Sequence, residues 1–199
     1  MTFVPNATLG VNTVFRNLQY EDGDYILYFA TIYKGCHATV EYITETTPAK
    51  AARVEYTYPV EDDWLVDAFK QKVEEVKSAG GKVKVAIFDT VVSMPGVRVP
   101  YERLLSACKE LGVLSLLDAA HGIGHLDLDV TKLDPDFMTT NCHKYVPPPS
   151  SPLSRSLTRK KMAPRPPRLR TPLRAPAKPT PHPLNPPHLL GVQNPQLRA

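Results

Sequence analysis

Val83-Lys84-Val85-Ala86-Ile87-Phe88 and Val113-Leu114-Ser115-Leu116-Leu117 are short, largely apolar runs, and residues 101–111 between them set Leu104, Leu105, Cys108 and Leu111 at helical spacing. A short apolar run suits a strand buried on both faces, whereas recurrence every three to four residues marks a helix with one buried stripe. Strand, helix and strand in that order make a crossover unit, which joins parallel strands. The fold class that follows is α/β, a mainly parallel sheet with flanking helices.

The same alternation extends outward. Toward the N-terminus, Trp64, Leu65, Ala68, Phe69, Val73 and Val76 predict a helix over 64–77, ended by Gly80-Gly81. Before it come a predicted strand over 52–56, a helix over 36–42 and a buried strand at Tyr25-Ile26-Leu27-Tyr28-Phe29-Ala30. The chain opens with a strand-like stub, Thr2-Phe3-Val4, then turn residues 5–10 and a helix over 11–18. Toward the C-terminus, Phe137-Met138-Thr139-Thr140 predicts another strand, followed at once by Asn141-Cys142-His143-Lys144-Tyr145.

Composition changes after Tyr145. Fifteen of the 21 prolines fall in residues 146–199, which hold no Phe, Trp or Tyr. Backbone without amide donors cannot continue a sheet. Residues 1–145 carry fourteen basic and twenty acidic side chains, a balance of −6, while the tail carries ten basic and no acidic ones, +10. Two units are therefore expected: an ordered domain over 1–145 and a disordered, basic, proline-rich tail over 146–199. The abruptness of the change points to a frameshift, retained intron or faulty gene model. The rival is a selected tail: Pro164-Arg165-Pro166-Pro167-Arg168 holds a PxxP with flanking arginines that suits an SH3 or WW groove. Nucleic-acid binding is the weaker rival, since no tail aromatic can stack on a base.

Cys36, Cys108 and Cys142 lie on separate elements without the spacing of a disulfide framework or a zinc site, so no metal is expected. No apolar run approaches the ~20 residues that span a bilayer, and no basic n-region followed by an apolar h-region stands at the start, so no secretory leader is expected. A cytoplasmic protein is the expectation.

Ligands of an open parallel sheet bind beyond the carboxyl ends of the strands. Asp118 ends one predicted strand, Ser93 follows a second, and Lys144 follows a third. A lysine and a carboxylate brought to one edge are what pyridoxal 5'-phosphate (PLP) chemistry requires: an amine to join the aldehyde, and an acid to keep the pyridine nitrogen protonated. Its phosphate needs N–H groups at a helix N-terminus, and Asn6-Ala7-Thr8 supplies such a turn.

Asp118-Ala119-Ala120-His121-Gly122-Ile123-Gly124-His125, then Asp134-Pro135-Asp136-Phe137, then Asn141-Cys142-His143-Lys144, resemble in order and spacing the cofactor-binding run of class V aminotransferase-like enzymes of fold type I, and Ser93-Met94-Pro95-Gly96 adds to the likeness. Within that family the run is most similar to the fungal isopenicillin N epimerase-like and hercynylcysteine sulfoxide lyase-like branch. The resemblance implies that Lys144 forms the Schiff base and shuttles the proton, that Asp118 pairs with the pyridine nitrogen, and that His121, helped by Ser93, contacts the ring oxygen. It implies that Ala7 and Thr8 bind phosphate with Asn141 and His143, and that Tyr33 stacks on the ring; Tyr28 and Phe29 compete for that last position. It implies a small amino-acid substrate, a homodimer in full-length relatives, and transamination, epimerisation or C–S lyase chemistry.

Bland readings stand beside these. A lone lysine is usually solvated, an aspartate at a strand end can be a cap, His121 and Ser93 can serve loop hydrogen bonds, and Tyr33 can be core. The combination over about 140 residues carries the assignment, not any member of it. The family also has segments before the phosphate turn and after the lysine, including a substrate-binding arginine, that find no match here. The sequence is accordingly expected to be a truncated large domain, and a catalytically inactive fragment is the alternative to an active enzyme.

Overall fold

The computed structural model describes residues 2–145; the proline-rich segment expected to be disordered lies outside the described residues. The elements are α1 (Ala7–Asn17), β1 (Asp24–Phe29), α2 (Lys34–Thr46), β2 (Lys50–Val54), α3 (Asp62–Ser78), β3 (Lys82–Asp89), α4 (Tyr101–Leu111), β4 (Leu114–Asp118), α5 (Val130–Leu133), β5 (Phe137–Thr139) and α6 (Cys142–Tyr145). Strand order is β2-β1-β3-β4-β5 and every pairing is parallel, as the alternation of periods required.

Side chains on a strand alternate between faces, and the two layers follow from that alone. Ile26, Tyr28, Val85, Ile87 and Leu116 face α1 and α2, where they meet Val11, Phe15, Cys36, Val40 and Ile43. Leu27, Phe29, Ala86, Phe88 and Leu117 face α3 and α4, where they meet Leu65, Phe69, Val73, Leu104, Leu105 and Cys108. Phe15 and Phe69, both fully buried, anchor one layer each, and each burial is worth roughly 1.5–3 kcal/mol. Asp89 lies two residues beyond Ile87, and Asp118 two beyond Leu116. Both carboxylates thus end on the α1 and α2 side of the sheet.

Local chemistry moves several boundaries from where periodicity sets them. α1 begins at Ala7 and not at 11, because Asn6 is its N-cap and its Oδ1 accepts the Leu9 N–H at 2.8 Å. Residues 2–4 form no strand. α2 is longer than expected at both ends. β2 starts earlier, at Lys50, and stops at Val54, because its last register partner is Phe29 at the end of β1. α4 has the expected bounds. β4 starts one residue late because Gly112, at φ 68°, closes α4 in the left-handed region and draws the Val113 N–H onto the Cys108 carbonyl.

One contact fixes how α1 sits. A Cβ at Gly10 would lie 2.3 Å from Thr139 Oγ1, so only glycine lets the helix approach β5 this closely. The Thr139 hydroxyl in turn donates to the Ala7 carbonyl at 3.2 Å. The start of α1 is thereby held against the end of β5.

Candidate active site

The segments after β1, β3, β4 and β5, with the start of α1, line one cavity at the carboxyl edge of the sheet, about 690 Å³ in volume. Ala7, Thr8, Tyr33, Ser93, Asp118, Asn141, His143 and Lys144 all line it. His121, the remaining residue singled out in the sequence, reaches the site through Lys144: its Nε2 lies 2.8 Å from Lys144 Nζ. Tyr28 and Phe29 are buried within β1, and of the three aromatic candidates for the stacking position Tyr33 is the one lining the cavity.

Hydrogen bonds between distant segments set this geometry. The Ala7 N–H donates to Asn141 Oδ1 at 2.8 Å, joining the start of α1 to the loop after β5. The Ala119 N–H donates to the Thr139 carbonyl, and the Thr140 hydroxyl donates to the Ala119 carbonyl at 2.8 Å. The start of α1, the segment after β4 and the segment after β5 are thus stapled together. Asn141, expected to touch phosphate, spends its carbonyl oxygen on Ala7.

At the start of α1 the free N–H groups are divided up. Asn141 takes Ala7, the Asn6 side chain takes Leu9, and the Asn6 carbonyl takes Gly10. Among the described residues the Thr8 N–H has no protein acceptor, and Thr8 lines the cavity. An eleven-residue helix that begins with an open N–H presents a partial positive charge to the cavity. At α2, Tyr33 is the N-cap residue; a Cβ on Gly35 would come within 2.9 Å of Tyr33 Cε1, so the glycine gives the ring its place.

Asp118 is 3% exposed, and each of its oxygens is held. Oδ1 accepts the Ala120 N–H at 2.9 Å, and Oδ2 accepts the Cys36 thiol at 3.4 Å. Burial pushes its carboxyl above the usual range, opposed by those two donors and by the nearby His121 and Lys144. Asp89, its register partner on β3, also lines the cavity. Burial and the Asp118 charge push Asp89 well above the ordinary carboxylate range, so Asp89 is the member of the pair that keeps a proton.

Asp89 and Cys36 are functional-site residues that sequence reasoning missed. Asp89 could have been found by its position, since it closes β3 as Asp118 closes β4. Cys36 gave no signal beyond standing one helical turn after Tyr33.

The donor set suits PLP. An amine, a buried carboxylate and an open helix N-terminus line one cavity, and they match the aldehyde, the pyridine nitrogen and the phosphate in kind. A second cavity of about 560 Å³ runs along the outer side of β5, lined by Phe3, Val14, Phe137 and Met138 among others, with no lysine or histidine.

Comparison with known proteins gives the family and the fold. The aminotransferase class V profile matches residues 1–149. An L-cysteine desulfhydrase-like protein of Epichloe uncinata is 34% identical over 143 residues, 72% of this chain and 32% of that protein. The hercynylcysteine sulfoxide lyase of Schizosaccharomyces pombe is 26% identical over 151 residues, 76% of this chain and 37% of that protein. Among solved structures, a cystine C–S lyase in complex with its product cysteine persulfide superposes with a TM-score of 0.61 at 23% identity, over 70% of this chain and 36% of that one. The apo cysteine desulfurase of Thermococcus onnurineus does so with 0.60 at 22%, over 72% and 34%. The structural likeness shows the fold. The chain spans about a third of the length of these relatives.

Proposed function

The chain belongs to the class V aminotransferase family of PLP-dependent enzymes, and from that premise we propose that residues 1–145 bind PLP at Lys144 and act on a small amino acid. The observation that carries this reading is the single cavity shared by Lys144, Asp118 and the start of α1. PLP, when bound, supplies an aldehyde that a primary amine can condense with and a ring that withdraws electrons from the substrate α carbon.

The protein groups have distinct tasks. The Thr8 N–H and the α1 dipole would bind the phosphate, with His143, which lines the same cavity, as a further contact. Asp118 keeps a negative charge against the pyridine nitrogen. Tyr33 covers the cavity and excludes water, and Ser93 offers a hydroxyl to the ring oxygen. Lys144 Nζ holds and returns the proton at the reacting carbon, and His121 Nε2, 2.8 Å away, accepts from that amine and keeps it aimed.

Of the reactions open to the family, C–S bond cleavage is favoured by the desulfhydrase-like and sulfoxide lyase relatives. The reading includes a homodimer, in keeping with the family resemblance, and a cytoplasmic setting, in keeping with three free cysteines. Among the described residues no helix is long and apolar enough to cross a membrane. The division into a cofactor-binding domain over 1–145 and a basic, proline-rich segment over 146–199 is part of the same reading, in line with the change in composition and with a family match that ends at 149.

The test is an absorbance scan of the purified chain with PLP, before and after borohydride, alongside Lys144→Ala. A visible band fixed covalently at Lys144 and lost in the variant is expected. A folded protein that gives no such band, or one whose label falls on another lysine, overturns the reading.

A further inference from the structure

We propose that Cys36 is a positioning residue for Asp118: its thiol holds the carboxylate in place for the cofactor nitrogen through the Sγ to Oδ2 hydrogen bond. This rests on the proposed pairing of Asp118 with the pyridine nitrogen. The thiol is fully buried on α2, one turn after Tyr33, and 3.4 Å from Oδ2. The other oxygen is fixed by a backbone N–H, which cannot rotate away. The carboxyl plane is therefore defined by one rigid donor and one side-chain donor.

The choice of sulfur has a consequence. Burial, then the Asp118 charge and the hydrogen bond to it, push the Cys36 thiol far up, so it stays protonated and donates to Asp118. That removes it as a nucleophile. A thiol is a weak donor, and it withdraws less charge from a carboxylate than a hydroxyl would. Cys36 thus orients Asp118 while leaving its basicity for the pyridine nitrogen.

The groups facing Asp118 are Asp89 from β3, Cys36 from α2, the Ala120 N–H and His121 from the loop after β4, and Lys144 from α6. Asp89 titrates with it, so the test uses the full chain in an Asp89→Asn background. The titration of Asp118 is followed by carboxyl-carbon NMR without cofactor, comparing Cys36, Cys36→Ser and Cys36→Ala. Loss of the donor should raise the Asp118 midpoint by about half a pH unit or more, and the hydroxyl should lower it below that of the cysteine protein. The acid-side midpoint of PLP binding should move the same way.

Equal midpoints in all three proteins, or a shift of the same sign for Ser and Ala, overturn the proposal, because a packing role would not distinguish a donor from none. Should Cys36→Ala fail to fold, the sign of the shift between Cys36 and Cys36→Ser decides alone. Should the parent chain fail to bind PLP, the functional reading falls, while the cofactor-free titration still decides whether Cys36 tunes Asp118.

Discussion

Asp89 and Asp118 are register partners at the carboxyl ends of β3 and β4, 5% and 3% exposed, and both open onto the same cavity. Two buried carboxylates side by side cannot both ionise cheaply, so each raises the other's hold on its proton. Asp118 has the better claim to the charge, since it accepts two hydrogen bonds and lies near His121 as well as Lys144.

This arrangement should cost stability in a pH-dependent way. Asp89 binds its proton more tightly folded than unfolded, where the ordinary value is 3.8. As pH rises from that value through the raised folded one, the unfolded state loses its proton first, and stability falls across the window. Asp89→Asn removes the penalty. Thermal melts should show the variant several degrees more stable at about pH 8 and no more stable below about pH 4. A variant less stable across the whole range would mean that the Asp89 carboxylate makes bonds the folded state needs.

His121 is set up to accept from Lys144. Its Nδ1 lies 3.4 Å from the Val91 carbonyl, which can only accept; that contact selects the tautomer with the proton on Nδ1 and leaves the Nε2 lone pair toward Lys144. His121→Leu removes the acceptor without adding charge. Borohydride trapping over time should show slower PLP attachment at Lys144, by about 10²-fold, with Gln at 121 restoring part of it. Unchanged attachment kinetics would leave His121 as a loop residue.

Gly10 and Thr139 should behave as a coupled pair. Gly10→Ala drives a methyl into Thr139 Oγ1 and should destabilise by ~1–3 kcal/mol. In a Thr139→Ala background that oxygen is gone, and the same change should cost clearly less. A denaturant-unfolding double-mutant cycle measures this; additive effects would show that α1 shifts freely and is not set by the contact.

The parts of the fold carried by periodicity are legible from the sequence. α4 has its expected bounds because four apolar residues at helical spacing, closed by Gly112, leave little choice. What periodicity cannot show is tertiary reason. Gly10 looks like a turn residue, and its cause is a threonine 129 positions away. Asp89 reads as the polar residue just outside a strand, until the register sets it beside Asp118. That Lys144, Asp118 and Thr8 meet at one cavity is legible, because strand ends and a helix start are local features of the sequence. Cys36 is not, because its meaning lies in a partner 82 residues on.

Asn141 links the two ends of the described domain, and its removal separates holding the fold from holding phosphate. Asn141→Ala strips the Ala7 N–H of its buried acceptor, 134 residues away in sequence, and should cost about 1–3 kcal/mol in chemical unfolding. The freed N–H still points from the start of α1, where an anion can take it. Inorganic phosphate should therefore stabilise the variant by more than it stabilises the parent, because the ligand replaces a lost bond as well as binding. Melts in phosphate against chloride at equal ionic strength measure the difference. Equal stabilisation of both proteins would show that the freed Ala7 N–H takes no part in binding the anion, and stabilisation of neither would show that the start of α1 is not the anion site.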